Sequence, residues 1–164
     1  MEHLPYYLAG LCNVIEYNHP LVRDLEFIKC NINDHSAFYL AERVVFEPTF
    51  RDLIRISFNH NKITDETIGK FKTLMDKLTK PTNRLSIIEL AGNSISSYSF
   101  SMIFSILRNR FLHIKILNLA SNKLGDESLE VLMSGISQNE YLQVLDLSDN
   151  NLTDTGLQSV MENL

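Results

Sequence analysis

The stretch LQVLDLSDNNL, Leu142 to Leu152, decides the fold. Apolar residues stand at its positions 1, 4, 6 and 11, and Asn150 at position 9. The same frame returns in IKILNLASNKL from Ile114, LSIIELAGNSI from Leu85, LIRISFNHNKI from Leu53 and VRDLEFIKCNI from Val22. Position 9 is thus Cys30, Asn61, Asn93, Asn122 and Asn150, at intervals of 31, 32, 29 and 28 residues. A short apolar-alternating run closed by a polar turn reads as a strand. A fixed period of about 30 residues reads as a stack of like units.

The second half of each unit keeps phase as well. Six residues past position 9 stands a small residue: Ser36, Thr67, Ser99, Ser128 or Gly156. Ten past it come Leu40, Phe71, Ile103, Leu132 and Val160; fourteen past it come Val44, Met75, Leu107, Ile136 and Leu164. Apolar residues four apart share one helical face. Asp34, Asp65, Asp126 and Asp154, with Ser97 in the third unit, mark the start of each helix, where they can accept from free N–H groups and oppose the positive helix end. Each unit therefore reads strand, tight turn, helix.

This pattern resembles the leucine-rich-repeat family, and its period and mixed Asn/Cys column resemble the ribonuclease-inhibitor-like class. The resemblance implies an α/β solenoid: a right-handed β-α superhelix with a curved parallel sheet inside and helices outside. It also implies that the position-9 amides sit inside the arch and bond backbone groups of adjacent turns, with Cys30 as a structural member of that ladder. Residues 20–164 make five repeats. Residues 1–19, with Leu8, Leu11 and Ile15 on one face and Cys12 beside it, read as an N-terminal capping helix stopped by Pro20. The last repeat runs to Leu164 without a polar cap, so a longer solenoid, a partner or a second copy is expected to cover it, and self-association through that repeat is one outcome.

Alternate strand residues are expected to face outward on the concave side: Asp24, Glu26 and Ile28; Arg55, Ser57 and Asn59; Ile87, Glu89 and Ala91; Ile116, Asn118 and Ala120; Val144, Asp146 and Ser148. Ile87, Ile116 and Val144 make an apolar stripe, and Glu26, Glu89 and Asp146 put acid in one column. They read either as ordinary solvated residues or as a docking strip for a protein presenting basic and apolar groups. As a site, the strip comprises Asp24, Glu26, Arg55, Asn59, Ile87, Glu89, Ile116, Asn118, Val144 and Asp146.

The 164 residues are 45% hydrophobic and 21% charged, a globular composition, with a net charge of -5. That sign argues against nucleic acid. Residues 117–164 hold Lys123 as their one basic residue and eight acidic ones, net -7, so the first 116 residues sum to +2. Lys70, Lys72, Lys77, Lys80 and Arg84 gather in and after the second helix, either as a wet surface or as a basic convex patch, and Lys80-Pro81-Thr82-Asn83 lengthens the loop there. No apolar run is long enough to span a membrane, the start lacks a secretory signal, and a cytoplasmic location is expected. His3, His19, His35, His60 and His113 show no metal-ligand spacing, and no nucleotide, hydrolase or cofactor motif occurs; no cofactor and no metal are expected.

Asn151-Leu152-Thr153 matches a glycosylation acceptor but should stay unmodified, and Phe100 and Phe104 read as core. The family resemblance implies a non-enzymatic protein–protein interaction module, a scaffold or regulator. Alternatives by the same resemblance are a GTPase-activating protein of the Ran-activator type, with Arg23, Arg55 and Asn59 as nearest candidates, or a fragment of an immune sensor or effector.

Overall fold

The computed structural model describes residues 22–46, 50–78, 84–127 and 129–162. The expected capping helix, with Leu8, Leu11, Cys12, Ile15 and Pro20, lies outside them. So do Lys80–Asn83, Ser128 and Leu164.

Five strands, β1 (Asp24–Glu26), β2 (Arg55–Ser57), β3 (Ile87–Glu89), β4 (Ile116–Asn118) and β5 (Val144–Asp146), form one sheet in chain order. Every neighbouring pair is parallel. Parallel neighbours need a crossover. It is supplied by α1 (Asp34–Phe46), α2 (Asp65–Asp76), α3 (Phe100–Leu107, after a 3-10 turn at Ser97–Ser99), α4 (Leu129–Ser137) and α5 (Asp154–Met161). Each helix packs against the next. This is the α/β leucine-rich-repeat solenoid that the repeat implies.

The apolar columns form the core. Position 4 is Leu25, Ile56, Ile88 and Leu117, and position 11 is Ile32, Ile63, Ile95 and Leu124; all are buried in one cluster. Each contributes roughly 1.5–3 kcal/mol by area removed from water. In the fifth unit Leu145, Leu147 and Leu152 are only half-buried, because no described element packs beyond them.

Three polar ladders tie the units together. The first is the asparagine column. Asn122 donates from Nδ2 to Leu90 O, Leu119 O and Ala120 O at 2.9, 3.0 and 3.1 Å, and its Oδ1 accepts from Ile95 N at 3.0 Å. Asn93 donates to Phe58, Leu90 and Ala91 and accepts from Ile63 N. Asn61 and Asn150 repeat the pattern. Cys30 keeps the position but is exposed; its thiol donates only to Ile28 O, at 3.3 Å. The residue just before each ladder position is left-handed: Lys29, His60, Gly92, Ser121 and Asp149 have φ between 51° and 66°. At Gly92 a Cβ would collide with the His60 ring.

The second ladder runs along the helix starts. Asp34 accepts from Thr64 N and Oγ1 and from Thr67 N and Oγ1, at 2.5–3.3 Å. Asp65 does the same for Ser96 N, Ser96 Oγ and Ser99 Oγ, and Asp126 for Thr153 N and Oγ1. Ser97 takes the place in the third unit, accepting from Gly125 N at 2.7 Å. These side chains thus serve the next unit's turn and helix start, where the sequence pointed to free N–H groups at each helix start without naming the unit. The small hydroxyl column does more than permit close packing: Thr67 and Ser99 donate to the carboxylate before them. A third ladder crosses the helix ends, where Asn109 donates to Met75 O at 2.8 Å and Asn139 to Leu107 O at 2.6 Å.

Replacing a ladder amide strands buried backbone groups, so Asn122→Ala is expected to lower unfolding free energy by about 1–3 kcal/mol. A urea midpoint equal to that of the parent would contradict the ladder's structural role.

Candidate functional site

Each strand offers its position-4 side chain to the core and its neighbours to the opposite face. Strand register then turns sequence columns into surface rows. Asp24, Arg55, Ile87, Ile116 and Val144 lie side by side in one row, and Glu26, Ser57, Glu89, Asn118 and Asp146 in another. Ile87 and Ile116 are half-buried, whereas Val144 is 48% exposed. The apolar stripe is therefore contiguous across β3–β5.

The acid row is less free than its sequence suggests. The Arg55 guanidinium bonds Glu26 in the unit before through Nη1, and Glu89 in the unit after through Nε and Nη2 at 3.1 and 2.7 Å. This bridge spans the register position of Ser57, which is 0% exposed rather than solvent-facing as expected. Asn59 adds a bond to Glu89 at 3.2 Å while its Oδ1 accepts from Ala91 N at 2.8 Å. Partial burial pushes the Glu89 carboxyl up, but the Arg55 and Asn59 bonds hold it below the usual glutamate range. Asp146 accepts from Ser148 Oγ and N, at 2.6 and 3.0 Å, which lowers its pKa. Asn118 makes the equivalent bond to Ala120 N at 2.9 Å. Two of the three row acids thus share one arginine and the third closes a turn. Asp24 is exposed at the head of β1.

The convex lysines are also paired. Lys70 meets Glu66 and Lys72 meets Asp76, both at 2.5 Å, which favours the wet-surface reading of these two lysines over a basic patch. Arg23 is exposed, but Arg55 and Asn59 are held by Glu89, so the three residues weighed for GTPase activation do not present free side chains together. Among the described residues no cluster of metal-ligating side chains occurs and no helix is long and apolar enough to cross a membrane.

Two features escaped the sequence reading. A cleft of about 300 Å³ lies on the strand-to-helix rim among Ser96, Ser97, Tyr98, Lys123 and Glu127, with Tyr98 85% exposed. At the opposite rim the His113 and Tyr141 rings lie with centroids 4.2 Å apart and planes tilted by 31°. Their positions, one before the first core residue of β4 and β5, are the only signal that could have paired them.

The family model described as Leucine Rich repeat matches residues 112–133 and 138–161. Among curated proteins, NACHT, LRR and PYD domains-containing protein 13 of Homo sapiens is 24% identical over 143 residues, 87% of this chain and 13% of its own length. NACHT, LRR and PYD domains-containing protein 4B of Mus musculus is 34% identical over 76 residues, 46% of this chain and 9% of its own. The chain therefore spans a small fraction of these relatives. Among solved structures, the tropomodulin C-terminal domain of Caenorhabditis elegans aligns with a TM-score of 0.68 at 14% identity, over 94% of this chain and 89% of that one. The leiomodin-1 actin-binding site 2 aligns at 0.66 and 14%, over 94% and 84%. At such identity these two share the fold with this chain.

Depressed carboxyl pKa values carry a pH consequence. Burial raises Asp34, but its hydrogen bonds from Thr67 and Thr64 outweigh it, and the net shift is downward, as for Glu89. A group whose folded pKa is lowered stabilises the fold above its unfolded pKa, and that contribution is lost as the pH falls through the folded value. Urea midpoints should therefore drop between about pH 7 and about pH 3, and less steeply in Asp34→Asn or Glu89→Gln than in the parent. An unchanged slope in both variants would contradict the assignment.

Proposed function

We propose that this chain, whose repeats belong to the leucine-rich-repeat family, is a non-enzymatic protein–protein interaction module that acts as a scaffold or regulator through the open face of its sheet and the adjoining loops. The observation that carries the reading is the partly exposed apolar row Ile87–Ile116–Val144 on a sheet fixed by three polar ladders. A surface held rigid before contact loses little conformational entropy on binding. Partly exposed aliphatic groups in a row give a partner dry contact area. Flanking acids, Asp24, Glu26 and Asp146, together with the net charge of -5, favour a partner that brings cations as well as apolar groups. Arg55, Asn59, Glu89 and Asn118 complete the face, chiefly as the groups that hold it in shape. A cytoplasmic location goes with this reading.

The relatives whose names join LRR to NACHT and PYD domains favour a second reading within the same class, in which this solenoid is the recognition segment of a larger sensor. Both readings place recognition on the same face.

Affinity capture from native extract, followed by substitution on the row, tests the proposal. Ile116→Ser with Val144→Ser should cut recovery of the retained protein several-fold, and Asp146→Lys should cut it further. Circular dichroism of each variant should match the parent, while the thermal midpoint of Asp146→Lys should fall modestly as its two turn bonds are lost. Recovery that is indifferent to all three changes, but falls on Tyr98→Ala, would move the site to the strand-to-helix rim and overturn the reading.

A further inference from the structure

We infer that the helix-to-strand rim beside β3–β5 docks the carboxylate side chains of a partner's segment whose apolar side chains lie on Ile87, Ile116 and Val144. The inference rests on the reading of the open face as protein-binding, in which the partner's cations meet the acid flank of the row, and it adds carboxylates directed at the opposite flank.

Position 2 of the frame is Ser86 in the third unit, Lys115 in the fourth and Gln143 in the fifth, each next in sequence to a residue of the apolar row. One step before the first core residue stand Arg84, His113 and Tyr141. Arg84 lies 3.6 Å from Asp52, yet its side chain is 73% exposed, so most of its guanidinium faces water. The Lys115 side chain is exposed and makes no ion pair among the described residues; only its backbone is engaged, to Ser86 O and from Gln143 N and Val144 N. The His113 and Tyr141 rings, tilted by 31° and in contact, add an aromatic element to the rim, with Tyr141 40% exposed.

The two flanks of the stripe therefore differ in kind. On one side the acids are already bonded, Glu89 to Arg55 and Asp146 to Ser148. On the other, Lys115 is exposed without an ion pair among the described residues, and Arg84 is largely exposed while meeting Asp52 at 3.6 Å. An exposed guanidinium and ammonium next to a half-exposed apolar row fit a segment in which Asp or Glu alternates with large aliphatic or aromatic residues. A long polyanion fits poorly, because the net charge of -7 over residues 117–164 would repel it.

The test measures fluorescence anisotropy of the full chain with labelled peptides of alternating Leu and Glu, Leu and Lys, and Leu and Ser, and sedimentation with phosphatidylserine/phosphatidylcholine vesicles. The Leu/Glu peptide should bind several-fold tighter than Leu/Ser. Arg84→Glu with Lys115→Glu should abolish that preference, and Arg84→Lys should largely keep it. Both residues are exposed, so the fold should survive, which circular dichroism checks. Leu/Glu binding no tighter than Leu/Ser, or insensitive to the double reversal, overturns the inference. Loss of Leu/Glu binding alone, with Leu/Lys still bound and lowered by Ile116→Ser, leaves the interaction reading standing. No binding of any apolar peptide, or binding to vesicles in their place, removes both.

Discussion

The structure depends on one interaction, the reach of a buried carboxamide from one unit into the unit before it. At each ladder position the amide nitrogen donates to carbonyls of its own turn and of the preceding one. Its oxygen meanwhile accepts an N–H of the preceding turn. A side chain here must be short and neutral, and must offer an NH2 to several carbonyls while a separate oxygen accepts an N–H; a hydroxyl has one hydrogen to give, and asparagine meets the whole requirement. Aspartate has no donor and glutamine overshoots. The left-handed residue before it sets the approach angle, since it turns the chain away from the strand and leaves the amide pointing back along the stack. Without this bond the turn would bury unsatisfied backbone polar groups, each at about 1–3 kcal/mol. Cys30 departs from this pattern: among the described residues its thiol donates to Ile28 O of its own turn.

Once the ladder fixes the spacing of units, it also fixes the rows of the open face. Strand neighbours stand about 4.8 Å apart, so a residue in one unit is placed beside its counterpart in the next whether or not the two suit each other. Rows therefore have to be made compatible by chemistry. Arg55 does this for Glu26 and Glu89, which would otherwise flank Ser57 as an unbridged pair of like charges. The apolar row needs no such repair, which is why it can remain partly exposed without internal partners.

Much of this was legible in the sequence because the core columns carry one chemical type. Position 11 reads Ile, Ile, Ile, Leu and Leu, and position 9 is Asn in four of five units, so strand, turn and helix could be placed with their phase. The left-handed column was not legible, because Lys29, His60, Gly92, Ser121 and Asp149 share a backbone conformation and no chemistry. The carboxylate ladder was half legible. Asp34, Asp65 and Asp126 were evident as helix-start acids, but only coordinates reveal that each serves the helix of the following unit. The Arg55 bridge was hidden for a different reason. A column read one residue at a time gives three acids in a row, whereas the guanidinium that pairs two of them sits in the adjacent column.

The fifth unit shows apolar area and charge working against each other. Leu145, Leu147 and Leu152 are half-buried, and Leu157 and Met161 are exposed, so their columns would gain roughly 1.5–3 kcal/mol per side chain from a cover. A second identical unit is the obvious candidate by shape. It would also bring a segment of net charge -7 against another of -7, within about one Debye length of roughly 8 Å in physiological salt. Asp126 and Asp146 stay ionised down to low pH because hydrogen bonds hold their pKa values below the usual range, so the repulsion does not titrate away near neutrality. A cover that presents cations satisfies both the apolar columns and the field, which the same face of a second copy does not. Pairing of two fifth units face to face is therefore opposed by the charges that share their surface.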